Sequence, residues 1–167
     1  MSLFRFCEWL ASTPWSIALH ESHYAYLGLL AIHVLTVSVF VGTIAMIDLR
    51  LLGLTMVGVP VSEVMARLLP WSAAGLVVML ASGALLFYAA PVLGYQNFFF
   101  RFKMAALVLA IINAWTFHRR LYRRVAEWDR DPVPPPVARM AGGMSLILWA
   151  AIITAGRMMP YQIYWFD

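Results

Sequence analysis

The sequence predicts an all-α fold, a four-helix transmembrane bundle with a short N-terminal interfacial helix, and three observations carry that prediction. Of its 167 residues, 63% are hydrophobic and only 12% are charged, against about half and about a quarter in an ordinary soluble domain; the mean hydropathy is +0.79. The apolar residues fall into four runs near the ~20 residues that cross a bilayer as a helix. No run alternates with period two, so the backbone groups that lipid leaves without water must bond inside helices. The length suits one domain spanning 1–167.

Residues 1–10 carry one cation, Arg5, and one acid, Glu8, among Leu3, Phe4, Phe6, Trp9 and Leu10. That pattern predicts an amphipathic helix lying in the interface rather than a signal peptide, which needs a longer apolar core. Thr13-Pro14 reads as a helix start, with Thr13 as N-cap and proline at the first position, where its missing N–H costs nothing; a second interfacial helix then covers 14–21. The first span runs over about 24–47, flanked by Tyr24 and Tyr26 and closed by Asp48 and Arg50. Gly58 to Pro60 break the chain, 62–67 start a short helix ahead of Pro70, and the second span covers about 68–92.

Gly94 to Asn97 form the next turn, with Asn97 capping a third span over 98–118. Arg101 and Lys103 in its first turns can snorkel to the headgroups. A helical extension is expected over 119–128. Asp131 to Pro136, with Pro-Val-Pro-Pro-Pro, cannot continue a helix and connects stiffly to a fourth span over about 140–157. Tyr161, Tyr164 and Trp165 close the chain as an interfacial aromatic cluster.

Of the 12 cations, Arg50, Arg67, Arg119, Arg120, Arg123, Arg124, Arg130 and Arg139 lie on one side of these spans, and Arg5, Arg101, Lys103 and Arg157 on the other. The positive-inside rule then places both termini outside, which in a bacterial inner membrane is the periplasm. Cations at the ends of apolar runs also explain the pI near 9.6, so nucleic acid is not an expected partner. The lone Cys7 excludes an intrachain disulfide and a Cys-x-x-Cys site.

His33 is the residue that most needs a reason, because an ionisable side chain within a span is costly and by default marks function. Neutral imidazole ligates haem iron, and four-helix bundles hold cofactors between facing helices. His33 is therefore the candidate metal and cofactor ligand; the plainer alternative is a single hydrogen bond to a neighbouring helix. Met79, near the same depth, is the candidate axial thioether, set against a packing role. His118 lies roughly 14 Å inward of the membrane centre by helical rise, too deep to share an iron with His33. With Asp48 and Arg50 it is expected to form a structural polar cluster at the inner edge. Asp48 and Arg50, two residues apart, face different ways and need separate partners.

Arg101, Lys103 and Arg157 gather near the outer ends of the third and fourth spans and make a cationic site for lipid headgroups, haem propionates or an acidic partner. His20 and His23, at i and i+3, would bind a metal only with further ligands and otherwise read as surface residues. Gly75, Gly83, Ala73, Ala74, Ala81 and Ala84 let helices approach closely, and Asn113 is expected to bond across helices. No residue is assigned a catalytic role, since neither a nucleophile with a base nor paired carboxylates occur. Four spans without an internal repeat argue against a transporter.

Taken together, Cys7 to Leu10, Thr13-Pro14, His33, Val41-Gly42-Thr43-Ile44, Asp48-Leu49-Arg50-Leu51-Leu52-Gly53, Leu69-Pro70-Trp71, Ser82-Gly83, Lys103-Met104, Phe117-His118 and Gly156-Arg157 make a recognisable pattern. It resembles an uncharacterised bacterial family of small four-span membrane proteins, a domain of unknown function, over nearly the whole chain. Asp-Leu-Arg-Leu-Leu-Gly is its most specific string. The resemblance implies the topology and no activity; members often carry an acid three residues before the first-span His, where this chain has Leu30. A looser likeness to four-helix cytochromes b rests on size, span count and the intramembrane His. The expected function is an integral membrane subunit that holds one haem b or a quinone near His33 and passes electrons between a periplasmic partner and the membrane. The alternative is a non-catalytic anchor of a larger membrane complex, and the sequence leaves open whether the chain is an enzyme. The lipid bilayer and other membrane subunits are the expected partners.

Overall fold

The structure, a computed structural model, describes residues 2–166, with side chains for 2–164. Two short helices open the chain, α1 (Leu3–Ala11) and α2 (Pro14–Glu21), followed by the long helices α3 (His23–Leu51) and α4 (Val61–Ala89). A one-and-a-half-turn helix α5 (Pro91–Gln96) leads into α6 (Phe98–Arg120), and α7 (Pro136–Met158) and a short α8 (Ile163–Phe166) complete the fold. Four helices are long and apolar enough to cross a membrane, α3, α4, α6 and α7, the last continuing through a 3-10 turn to Tyr161. Their outer faces carry large apolar side chains such as Leu35, Trp71, Val77 and Ile147, each about two-thirds exposed. In a soluble protein such a surface would aggregate; here it meets lipid.

The chain contacts run α4 to α3, α3 to α7 and α7 to α6, whereas α4 and α6 do not pack along their lengths. The bundle is therefore open on one side. Two apolar clusters hold it. One, in the middle, joins Phe40, Met79, Ala106, Ala110, Leu148, Trp149 and Ile152, with Phe40 and Trp149 edge to face at 4.7 Å. The other lies toward the Arg-rich end and joins Ile47, Leu51, Val61, Val64, Met65, Phe117, Trp128 and Ala138.

Glycine sets the closest helix approaches. A Cβ on Gly75 of α4 would lie 3.1 Å from the Phe40 Cβ on α3, and one on Gly142 of α7 would lie 3.0 Å from the Asp48 carbonyl oxygen. Of the predicted small residues on α4, Gly75 and Gly83 face α3 in this way, while Ala73, Ala74, Ala81 and Ala84 are exposed.

Several boundaries differ from those read from the sequence, each for a local reason. α4 starts at Val61 and passes through Pro70 without a break, because proline removes one i−4 bond and the neighbouring turns of a long helix carry the remainder. The turn expected at Gly94 is part of α5, started by Pro91 at its first position. α6 stops at Arg120, and 122–127 form a 3-10 turn rather than continuing the helix, with Arg124 at φ −110°, ψ 19°. Asn97 caps α6 as predicted, accepting from the Phe100 N–H at 3.0 Å. Thr13 precedes Pro14 as predicted but makes no side-chain cap; its hydroxyl bonds Leu10 O and the Tyr88 hydroxyl at 2.7 Å each. Of the closing aromatic cluster, Tyr161 and Tyr164 stack obliquely with centroids 6.4 Å apart, and the Trp165 side chain lies outside the described residues.

Candidate functional site

The half of the bundle nearer the termini contains a polar layer built by three helices. His33 of α3 lies against Ser82 of α4, Nδ1 to Oγ 2.9 Å. The Ser82 hydroxyl donates to its own helix, to Val78 O at 2.7 Å and Met79 O at 3.2 Å. With its one proton committed to the backbone, Ser82 accepts from His33 Nδ1–H, and the network assigns the remaining lone pair to Nε2. Gly83 makes room for the ring: a Cβ there would sit 3.2 Å from His33 Cε1.

Across the bundle, Lys103 of α6 is half-buried against Gly156 of α7, where a Cβ would lie 3.5 Å from Nζ. Its ammonium is near enough to act electrostatically on His33, and it has no hydrogen-bond or ion-pair partner among the described residues. The layer is bounded on both sides. Toward the termini, Phe87 and Phe100 stack at 5.3 Å and 13° across α4 and α6, with Gly94 of α5 closing over Phe87. Toward the middle lies the cluster of Phe40, Met79 and Trp149. Chemically, the layer offers one cationic donor and one imidazole acceptor, with no acid opposite them among the described residues.

The other predicted residues are placed as follows. Met79 is buried in the middle cluster, one turn from Ser82. Arg101 and Arg157 are exposed, the latter over the Tyr161 ring at 5.5 Å, so the expected three-cation group separates into one inward Lys103 and two surface arginines. His20 and His23 belong to different helices, α2 and α3, and are exposed. They do not share a helical face, because Ser22 caps α3 between them. Among the described residues no three His, Cys, Asp or Glu gather as a metal-holding group. Asn113 bonds across helices as expected, Nδ2 to Ala141 O at 2.9 Å.

The cluster expected of Asp48, Arg50 and His118 is not formed. His118 is exposed and stacks on Tyr122 at 5.3 Å, because it lies on the α6 face turned away from α3. Asp48 is buried on α3 where Gly142 lets α7 approach, and Ser145 is its hydrogen-bond partner. Arg50 is fully buried and reaches the two loops: Nε donates to Val59 O at 2.9 Å and Nη2 to Asp131 O at 3.2 Å. Asp48 Oδ2 and Arg50 Nη1 are buried without partners.

Around Arg50 the two loops on that side are tied together. Gly53, at φ +75°, lies under Pro132 and Pro134. Asp129 caps α4 from the far loop, accepting from Ser62 N at 2.7 Å and Ser62 Oγ at 2.6 Å, while Val61 N donates to Asp129 O at 3.0 Å. Partial desolvation pushes the Asp129 carboxyl up, but the two Ser62 bonds, with Arg130 and Arg50 nearby, outweigh it and hold the group below the usual carboxylate range. Sequence reasoning missed Asp129, since an N-cap 67 residues distant leaves no local signature.

Fold and site together define an integral, multi-pass α-helical membrane protein with a basic polar layer between its helices. The chain belongs to the family described as "Family of unknown function (DUF6644)", which matches residues 10–162. No curated protein and no solved structure matches the chain.

Proposed function

We propose that this protein is a quinone-binding subunit of a bacterial inner membrane, oriented with both termini in the periplasm, which passes electrons between a periplasmic redox protein and the membrane quinone pool. The observation that carries the reading is Lys103, an ammonium inside the bundle with no bonding partner among the described residues, near enough to act electrostatically on a His whose Nδ1 is held by Ser82. A cation kept out of water without a counter-charge is a cost that a ligand's acceptor group would offset. A quinone carbonyl suits the Lys103 donor, and the quinol hydroxyl, formed when two electrons from the periplasmic protein and two protons are added, suits the His33 Nε2 acceptor. Haem b fits less well: His33 Nε2 is available to iron, but the adjoining layer that a macrocycle would enter is filled by Phe40, Met79 and Trp149.

The alternative, a non-catalytic anchoring subunit of a larger complex, draws on the exposed Ala73, Ala74, Ala81 and Ala84 of α4, which would let a partner helix approach. One preparation separates the readings. Protein isolated from its own membranes is extracted and its organic phase analysed for quinone, its absorption spectrum recorded and its companions counted. The proposal expects about one quinone per chain, lost on Lys103→Met and on His33→Ala. A Soret band lost on His33→Ala would replace quinone by haem. Fixed companion subunits with neither chromophore nor quinone would leave the anchor.

A further inference from the structure

The polar layer is reached from one direction that the packing leaves open. α3 lies along α4 and α7 along α6, but α4 and α6 diverge. The divergence has two closed ends. On the side of the termini, α5 bridges α4 to α6 directly, and the Phe87–Phe100 stack fills the space beneath it. On the Arg-rich side, Phe117 of α6 joins Val64 and Met65 of α4 in one packed cluster. At mid-depth Met79 and Ala106 belong to the central cluster. What remains, between the Phe87–Phe100 roof and the Met79–Ala106 level, is a lateral stretch over which α4 and α6 are not packed against each other. It spans eight residues of α4, about 12 Å at the helical rise, and six of α6, about 9 Å. Gly83 and Lys103 stand at its centre, and the residues beside them, Leu80 and Met104, are exposed to the surroundings.

We infer that this opening is a window through which a membrane-dissolved carrier inserts its flat headgroup from the lipid, leaving its apolar tail outside the bundle. The inference builds on the quinone reading for its ligand and adds the route. Three observations select such an occupant. The outward residues that border the window, Leu80 and Met104, are apolar and exposed, so what enters must come from an apolar surrounding. The inner wall of the window presents a cation and an imidazole with no acid among the described residues, which suits an uncharged or anionic acceptor group. A partner's spanning helix would have to pass both α5 and the Phe117 cluster, and the two closures exclude an occupant that runs the full thickness of the membrane. The glycines fit the same purpose: Gly83 seats the His33 ring and Gly156 the Lys103 ammonium, so both polar groups are drawn back from the opening.

The test uses the full chain in lipid nanodiscs and has two readouts. In the first, a small apolar diazirine dissolved in the bilayer is photolysed and the modified residues are mapped by mass spectrometry. His33 should be labelled in the parent protein, and Leu80→Trp and Met104→Trp, both at exposed positions, should each lower that labelling at least fivefold while lipid-facing Val77 is labelled as before. His33 left unlabelled in the parent, or labelled equally in both variants, would overturn the window whatever quinone does. In the second, the association rate of a decyl-tailed benzoquinone is measured. Met104→Trp should slow it at least tenfold and move the equilibrium affinity less than threefold; an unchanged rate overturns the route. Window-dependent labelling of His33 with no quinone bound would support the window and sink the quinone reading. Quantitative cross-linking of a cysteine at position 104 to another membrane polypeptide would put a partner helix at the opening and overturn the inference.

Discussion

Arg50 and Lys103 are both cations withdrawn from water, and the two ends of the bundle treat them differently. At the Arg-rich end the guanidinium is fully buried and donates to two loop carbonyls, Val59 O and Asp131 O. In the half nearer the termini the Lys103 ammonium rests on a glycine with no bonding partner among the described residues. The first arrangement joins the α3–α4 loop to the α6–α7 loop through two of its three nitrogens, Nη1 staying buried without a partner, and so has a structural reason within the chain. The second has none, and the contrast is what directs attention to the polar layer as a place for something else. Buried polar groups are costly when unpaired and specific when paired, so one chain shows a charge used as a fastening and a charge held in reserve.

Arg50→Ala is expected to have the largest effect. It removes the donors to Val59 O and Asp131 O and loosens the tie between the two loops, at a cost of about 3 kcal/mol, since hydrogen bonds to charged groups are individually strong. Arg50→Lys should rescue little, because one ammonium on a flexible stem cannot reproduce the forked donors. Reversible unfolding in mixed micelles measures both. Equal destabilisation by His33→Ala would erase the distinction between the two ends.

Gly142→Ala comes next. The added Cβ would meet the Asp48 carbonyl at 3.0 Å and the Leu51 Cβ at 3.2 Å, both firmly held, so α3 and α7 must separate at a cost of about 2 kcal/mol. The neighbouring Gly143→Ala, whose nearest contact is a Leu52 methyl at 3.8 Å, should be close to neutral. A pair of unfolding curves that coincide would show that the approach of α3 to α7 tolerates widening.

The fold was legible in the sequence where physics is local. Four apolar runs, the Asn97 cap and the two short N-terminal helices follow from composition and spacing, and the structure has them. Of the polar layer, only His33 stands out in the sequence as an ionisable group within a span; Lys103 reads there with Arg101 and Arg157 as one cationic group near the headgroups, and nothing local says that Lys103 turns inward while the two arginines stay at the surface. That depends on where α7 presents Gly156. The Asp-Leu-Arg-Leu-Leu-Gly string was visible as a motif and misjudged as a cluster with His118. Its three polar or special positions serve three different contacts, Asp48 to α7, Arg50 to two loops and Gly53 beneath the prolines. Long-range partners of this kind have no signature at the spacing of a single helix.

Lys103→Met should act in the opposite direction to Arg50→Ala. Replacing an unpartnered cation by a thioether of similar length removes a charge that the bundle holds out of water, and the protein should become more stable by about 1 kcal/mol. Such a gain, accompanied by loss of bound quinone, is what a group kept for a ligand predicts. A loss of stability would mean that Lys103 has a structural partner and would move it to the same class as Arg50.

Asp129 gives the smallest effect and the one with a pH signature. Capping α4 through Ser62, it should contribute about 1 kcal/mol, the usual worth of an N-cap, lost on Asp129→Ala. Because its folded-state pKa is held below the unfolded value, the unfolded chain binds the proton first. The contribution is therefore complete above about pH 4 and disappears as pH falls through the folded-state value. Asp129→Asn should flatten that acid limb while leaving the neutral-pH stability between those of the parent and the alanine variant. An acid limb unchanged by Asp129→Asn would assign the titration to another carboxylate and leave the Asp129 cap without a share in the acid dependence.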